Sequence, residues 1–284
     1  MSRSEFVDCV HPVYERIELY DAKSLPTDQP KNDAADGVKA LPQGFIDAMI
    51  VREEVFVREQ NIALENELDD DDQRSFHWVA YASIPVKHTS PEISAHGANG
   101  KTNAARRISN STKIPIGTIR LVPPPHAPHP NAKEDSTNDT SEAHNDDRKD
   151  SSVAHDPKES YIKLGRLAVI KEFRKAGISK LLIETALSFA REHHYVFSPN
   201  HDPAKFEASK QLSDRGVTLD WKGLVLVHAQ TGVQKIWRKY GFETDAAMGE
   251  WDEEGIMHVG MWRRMDIGRR KSKAFHIGSP LASP

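Results

Sequence analysis

The chain has 284 residues, 38% of them hydrophobic and 28% charged, and a formal net charge of −4. That length suits one large domain or two small ones, and the charge lacks the basic excess of a nucleic-acid binder. The one cysteine, Cys9, excludes an internal disulfide framework and a cysteine-based zinc cluster, and no apolar run approaches the roughly 20 residues of a membrane helix.

The N-terminal MSRSEFVDCVHPVYER is broken by charges and by Pro12, so no secretory apolar segment is expected there. Residues 44–59 place Phe45, Ile46, Met49, Ile50, Phe56 and Val57 at helical spacing after Pro42. Residues 77–84 and 115–122 alternate as strands, the second with Ile116, Thr118 and Arg120 on one face. Residues 161–170 read as a buried strand. A strong amphipathic helix follows over 176–195, with Ile178, Leu181, Leu182, Thr185, Phe189 and Ala190 sharing a face. Then come a short apolar strand at 223–229, a helix at 231–240 and a strand at 256–264. This order predicts one α/β domain.

Three polar stretches interrupt these blocks, at 86–113, 123–160 and 198–222. The second contains no Leu, Ile, Phe, Tyr, Trp or Met and cannot bury enough surface to offset its ordering entropy, so a disordered insertion is expected there. The third keeps Phe206, Leu212, Val217, Leu219 and Trp221, which predicts partial order. The predicted domain therefore has a core at about 41–265 and a tail at 266–284. The low apolar fraction is that of an ordinary core diluted by insertions.

The most informative junction is the strand 161–170 entering the helix through KEFRKAGIS. Unpaired N–H groups at a helix start carry partial positive charge, Gly177 admits close approach, and Arg174 and Lys175 add cations. Such a turn suits a pyrophosphate, though an ordinary basic turn has the same composition. The Gly-Lys-Ser/Thr ending of a Walker A loop is absent, and one glycine is too few for a dinucleotide-binding fingerprint.

The segment LGRLAVIKEFRKAGISKLLIETAL resembles motif A of the GNAT superfamily, the Gcn5-related N-acetyltransferases. Arg174 and Gly177 match, and Ser179 stands at the last small position. VLVHAQTGVQKIWRKYGF resembles motif B, ending in Gly241-Phe242. VREEVFVREQNIALENELDDDD, His77, Arg120-Leu121 and GIMHVGM resemble the ElaA/YjcF-like branch. The resemblance implies a GNAT-like α/β fold, with a mixed central sheet splayed at the cofactor-binding strand and flanked by helices. It implies an acyl-CoA-dependent N-acyltransferase that moves an acetyl group from acetyl-CoA to a primary amine. The amine would be a small amine, or a lysine or N-terminal amine. The alternative is a non-catalytic acyl-CoA-binding or regulatory module that retains the cleft.

Residue by residue, the resemblance places the pantetheine arm of coenzyme A along Leu167, Ala168 and Val169. It places the pyrophosphate on Arg174, Lys175, Ala176, Gly177, Ile178 and Ser179. Many members protonate the leaving thiolate with a motif B tyrosine; here that position is Trp237, which could wall the thioester channel instead. His228, ending the motif B strand, is the candidate base, with a hydrogen-bonded core histidine as the plainer reading. Gln230 is expected to contact the cofactor or fix the strand end. His77 and His258 either line the acceptor pocket or are polar core residues. Arg120 and Arg166 lie on central strands, where a lone charge is costly, so pairing with acids such as Glu53, Glu59, Glu67 and Asp69 is expected. The acidic run from Glu65 to Asp72, with Glu67 and Asp69, reads as a negative rim that attracts a cationic amine, or as a solvated loop. No metal motif is present. The expected location is the cytoplasm, with the nucleus left open by GRRKSK at 268–273; no nucleic-acid or membrane partner is expected, and a homodimer is left open.

Overall fold

The computed structural model describes residues 7–29, 40–85, 111–126, 159–197 and 220–268. The central parts of the three polar stretches and the basic tail lie outside the described residues. The sheet has eight strands: β1 (Val7–Val10), β2 (Phe76–Pro85), β3 (Ser111–Val122), β4 (Tyr161–Val169), β5 (Leu224–Gln230), β6 (Glu243–Thr244), β7 (Glu250–Glu253) and β8 (Ile256–Arg264). Their spatial order is β1-β2-β3-β4-β5-β8-β6, with β7 also on β8. Each pairing is antiparallel except β4 with β5. A parallel pair needs a crossover, and α2 (Ile178–Glu192) supplies it.

Two helices cover opposite faces. α2 lays Leu182, Ile183, Ala186, Leu187 and Ala190 on the face that carries Trp78, Ile119, Leu121, Ile162, Leu164, Val225 and Val227. Fully burying such aliphatic side chains contributes about 1.5–3 kcal/mol each, so this face is the main core. α1 (Gln43–Arg52), capped by Pro42, packs Ala48 against Val79 and Tyr81 on the other face. The helix predicted over 44–59 does not stay α-helical to its end. Glu53–Glu59 widen into a π-helix, closed by a bond from the Gln60 N–H to the Val55 carbonyl at 3.1 Å. This segment packs Val55 and Phe56 against Ala168 of β4. A short α3 (Gln234–Arg238) follows β5.

The mixed, helix-flanked sheet is the arrangement that the GNAT resemblance implied. Three strands exceed the sequence reading. β1 is an edge strand of four residues, β6 has two, and β7 is the polar EWDE. The N-terminal segment also belongs to the core, because Val10, Val13 and Tyr20 pack against Phe45 and Met49. The polar stretches are shorter than their composition suggested. Ser111–Lys113 open β3, and the His126 ring stacks on Tyr161 with centroids 4.3 Å apart. Trp221 is buried and donates its Nε1–H to the Leu224 carbonyl at 2.6 Å. Among the described residues no helix is long and apolar enough to cross a membrane.

Candidate active site

The site begins where two strands part. β4 and β5 stay in register from Tyr161↔Leu224 to Leu164↔Val227, and the pairing ends there. β4 continues to pair with β3 on its other side, as far as Gly117↔Val169. Between Arg120↔Gly165 and Thr118↔Ala168, β4 holds one residue more than β3. This is a β-bulge, and Arg166 within it has φ +49°. The pairing with β5 stops just before this extra residue, and beyond it lies a notch with strand backbone on its sides. Leu167, Ala168 and Val169, the predicted pantetheine positions, form its β4 side.

One more register step would set Gly165 beside His228. A Cβ built on Gly165 meets nothing within 4 Å. Gly165 pairs with Arg120, so this open space lies on the α1 face of the sheet. The missing side chain therefore leaves room at the vertex of the notch, between Arg120 on β3 and His228 on β5.

The notch leads into the predicted phosphate turn. A short 3₁₀ turn, Lys171–Phe173, precedes exposed Arg174, Lys175, Ala176 and Gly177. Gly177 caps α2 with φ +84° and Lys175 has φ +67°. The first bond inside α2 runs from the Leu181 N–H to the Gly177 carbonyl at 3.0 Å. The N–H groups of Ile178 and Ser179 therefore stand at an open helix start, the ordinary geometry for binding an anion. Behind the turn, a Cβ on Gly117 of β3 would lie 2.9 Å from Ile178 Cγ2 and 3.1 Å from Leu182 Cδ1. The absence of that atom lets the head of α2 sit down on the sheet.

Arg174 does something the sequence did not suggest. Its Nε donates to the Val169 carbonyl at 2.9 Å, and its guanidinium forms a bidentate pair with Glu59 of the π-helix, Nη1 to Oε1 at 2.6 Å. It braces the turn against the first helix. Next to it Gln230, at the end of β5, donates to Gln60 Oε1 at 2.9 Å. The two amides bridge the head of the notch. A second bridge runs from Asn66 Nδ2 to Glu254 Oε1, 2.5 Å, and ties the loop after the π-helix to the β7–β8 hairpin.

Beneath that loop lies a cluster of buried charges. Arg52 of α1, fully enclosed, donates Nε to Glu67 at 3.0 Å and Nη1 to Asp72 at 2.7 Å. Arg120 donates Nη1 to Asp72 at 2.8 Å and to Asp69 at 2.6 Å, and Nη2 to Asp69 at 2.8 Å. Arg166 reaches Asp69 at 3.1 Å. The Arg120 and Arg52 guanidinium groups outweigh burial and hold the Asp72 carboxyl well below the usual carboxylate range. Asp69 is lowered likewise, chiefly by Arg120 against the opposing effect of burial.

The strand arginines are paired with acids, and the acidic run divides: Glu65 and Asp70 are exposed and Asp69 partly so, while Glu67 and Asp72 are buried. Glu67 and Asp72 are 1% and 0% exposed, and Arg52 and Arg120 neutralise them, so they offer no open acidic face to an amine. His77 also leaves the acceptor site. It is sealed beneath this cluster, edge-on to Phe45, with Nε2 3.4 Å from the Asp72 carbonyl. Burial depresses its pKa to about 4.

The far wall is aromatic. The His228 ring meets Trp251 of β7 edge-on with centroids 4.9 Å apart, and Trp251 stacks on His258 at 6.3 Å. His258 Nδ1 lies 2.8 Å from the Ile256 carbonyl. His228 and His258 thus flank Trp251, while Arg120 and Arg166 meet at Asp69. Trp237 is elsewhere. It is 3% exposed and packed on Phe242 in the α2-side core. The sequence reading passed over Gly165, Lys163, Arg52 and Gln60; only Arg52, a charge inside an apolar helix face, carried a visible signal.

No protein-family profile matches this sequence, and no curated protein is similar to it. Solved structures with a likeness to it include an acyl-CoA N-acyltransferase from Pseudomonas aeruginosa, 18% identical, with 90% of this chain and 97% of that one covered and a TM-score of 0.42. Escherichia coli ElaA is 17% identical over 80% of this chain and 93% of its own, with a TM-score of 0.41. BjaI, a CoA-dependent acyl-homoserine lactone synthase solved with SAM and isopentyl-CoA, is 12% identical over 90% and 82%, with a TM-score of 0.39. These are likenesses of fold alone.

Proposed function

We propose that this protein is an acyl-CoA-dependent N-acyltransferase of the GNAT type, with acetyl-CoA as donor and a primary amine as acceptor. The observation that carries the reading is the notch between β4 and β5, which runs directly into the open N-terminus of α2 at Gly177. Extended backbone beside a missing strand suits the amide-bearing pantetheine arm, which can hydrogen-bond like a strand. Helix-start N–H groups suit the pyrophosphate. Laid in this way, the donor brings its thioester toward the space over Gly165.

In the reaction a neutral amine attacks the thioester carbonyl. A C–N bond forms, the tetrahedral oxyanion collapses and the C–S bond breaks. One proton leaves the nitrogen and one joins the departing sulfur. His228, at the next register position from Gly165, is the candidate acceptor for the first proton, directly or through water. With Trp237 held in the core, water supplies the second. A thiol pKa of about 8.5 makes the thiolate an acceptable leaving group.

Calorimetry with CoA and a thiol-release assay with acetyl-CoA and an amine panel test this. We expect CoA binding and amine-dependent thiol release. Gly177→Arg should weaken CoA binding at least tenfold while the fold persists, because a Cβ there meets nothing within 4 Å and the left-handed φ costs only about 1 kcal/mol. Unchanged CoA affinity in Gly177→Arg would refute the phosphate turn. CoA binding without amine-dependent release would leave a non-catalytic acyl-CoA-binding module.

A further inference from the structure

Lys163 has no role in the account so far. It lies on the α1 face of β4, two residues before Gly165, paired across β3 with Val122 and across β5 with Leu226. It is partly buried, and among the described residues its side-chain ammonium has no hydrogen bond and no carboxylate within ion-pair distance. Its neighbours explain why that matters. The carboxylates on this face are already engaged: Asp69 by Arg120 and Arg166, Asp72 by Arg52 and Arg120, Glu67 by Arg52 and Asp71 by Arg74. The exposed Glu253 of β7 attracts Lys163 only from beyond ion-pair distance.

Arg52, Arg120 and Arg166 stand against Glu67, Asp69 and Asp72, which leaves Lys163 with only the more distant Glu253, Asp71 and Asp69 to attract it. Two arginine donors remain unused as well. Arg120 Nε and Arg166 Nε are buried without a partner, while Glu67 Oε1 is the acidic oxygen left over. Burial, and then Arg120, depress the Lys163 ammonium, and Arg166 is lowered by burial, Arg52 and Arg120. On β4, Lys163 shares the face of Gly165 two residues before it and Arg166 directly follows it, so both stand beside the open position.

We propose that the acceptor is a small amine that also carries a carboxylate, an amino acid, whose carboxylate is held by Lys163 and Arg166 while its amine faces the thioester. The proposal rests on the acyltransferase reading. A carboxylate supplies the anion and the acceptor oxygens that the Lys163 ammonium and Arg166 Nε lack. A polyamine or an aminosugar would add positive charge beside these cations and leave those donors unpaired. The same cations favour the neutral form of a bound amine, and the neutral form is the nucleophile.

The test uses the full-length chain and matched acceptor pairs: phenylalanine with phenethylamine, lysine with cadaverine, and alanine with ethylamine. Each is assayed for thiol release from acetyl-CoA, beside calorimetry with CoA. We expect the amino-acid member of at least one pair to exceed its decarboxylated partner at least tenfold in kcat/KM. Lys163→Met should reduce that ratio by about 10- to 100-fold, the usual worth of a charge-assisted bond, and Lys163→Arg should restore most of it. If Lys163→Met fails to fold, Lys163→Gln replaces it. CoA binding with equal or better turnover of the decarboxylated amines overturns the carboxylate proposal and leaves the acyltransferase reading intact. So does a preference that survives loss of the Lys163 charge. CoA binding without turnover of any pair, or no CoA binding, overturns both.

Discussion

Replacing Asp72 by Asn removes one charge from the centre of the buried cluster and changes almost nothing in shape. Asp72 accepts from Arg52 at 2.7 Å and 3.2 Å, from Arg120 at 2.8 Å and from the Asp69 N–H at 3.0 Å. Each arginine keeps one other carboxylate, Glu67 or Asp69, so neither guanidinium is wholly stranded. The expected cost therefore sits at the lower end of the range for breaking a buried pair, about 3 kcal/mol. For a domain of this size that lowers Tm by about 6–12 °C. Asp69→Asn, at a side chain one-third exposed, should cost less because solvent screens it. The acid limb gives an independent readout. A carboxyl held below its unfolded pKa stabilises the fold above about pH 3.9, and that contribution fades as the pH falls through the folded value. The wild type should therefore lose stability steeply below pH 4, and Asp72→Asn more gently. A Tm shift under 2 °C, with an unchanged acid limb, would show that the cluster contributes no more than surface charge and would sink the reasoning.

His77 supplies a second pH effect at milder acidity. A buried imidazole with a pKa of about 4 stays neutral where the unfolded histidine, near 6.5, takes a proton, so stability falls as the pH drops from about 6.5 towards 4. The loss should reach about 2 kcal/mol by pH 5 in urea titrations, and a slope unchanged in His77→Gln would contradict it. Gly117→Ala sets a methyl 2.9 Å from Ile178 Cγ2 and must lift the head of α2; CoA affinity should fall about tenfold, with a stability loss of about 1–3 kcal/mol. Calorimetry showing full affinity would separate α2 placement from phosphate binding. Gly165→Val fills the space at the notch vertex with a good strand former. Thermal melts should match the wild type and thiol release should collapse; normal turnover would place the chemistry elsewhere.

The long periodic elements were legible because their burial is repetitive. α2 shows its apolar stripe in the sequence, and the β5 run LVLVHA is apolar because it is covered on both faces. β6 and β7 were not legible, since a two-residue strand and EWDE carry no period. Within the site, the turn around Gly177 was readable because glycine and cations at a helix start have a local cause. The acidic run was legible only in part. A string of aspartates looks like a solvated rim, and only the tertiary fold shows Arg52 and Arg120 standing beneath it. Gly165 acts through the side chain it lacks, and Lys163 through the partner it lacks. Neither absence leaves a mark in a string of letters.

The bulge at Arg166 works as a phase slip. Before it, Tyr161, Lys163 and Gly165 turn toward the first helix; after it, Ala168 does, and odd and even positions have exchanged faces. Removing that one residue would put β4 back in step with β3. The opening between β4 and β5 thus begins at a single residue out of count.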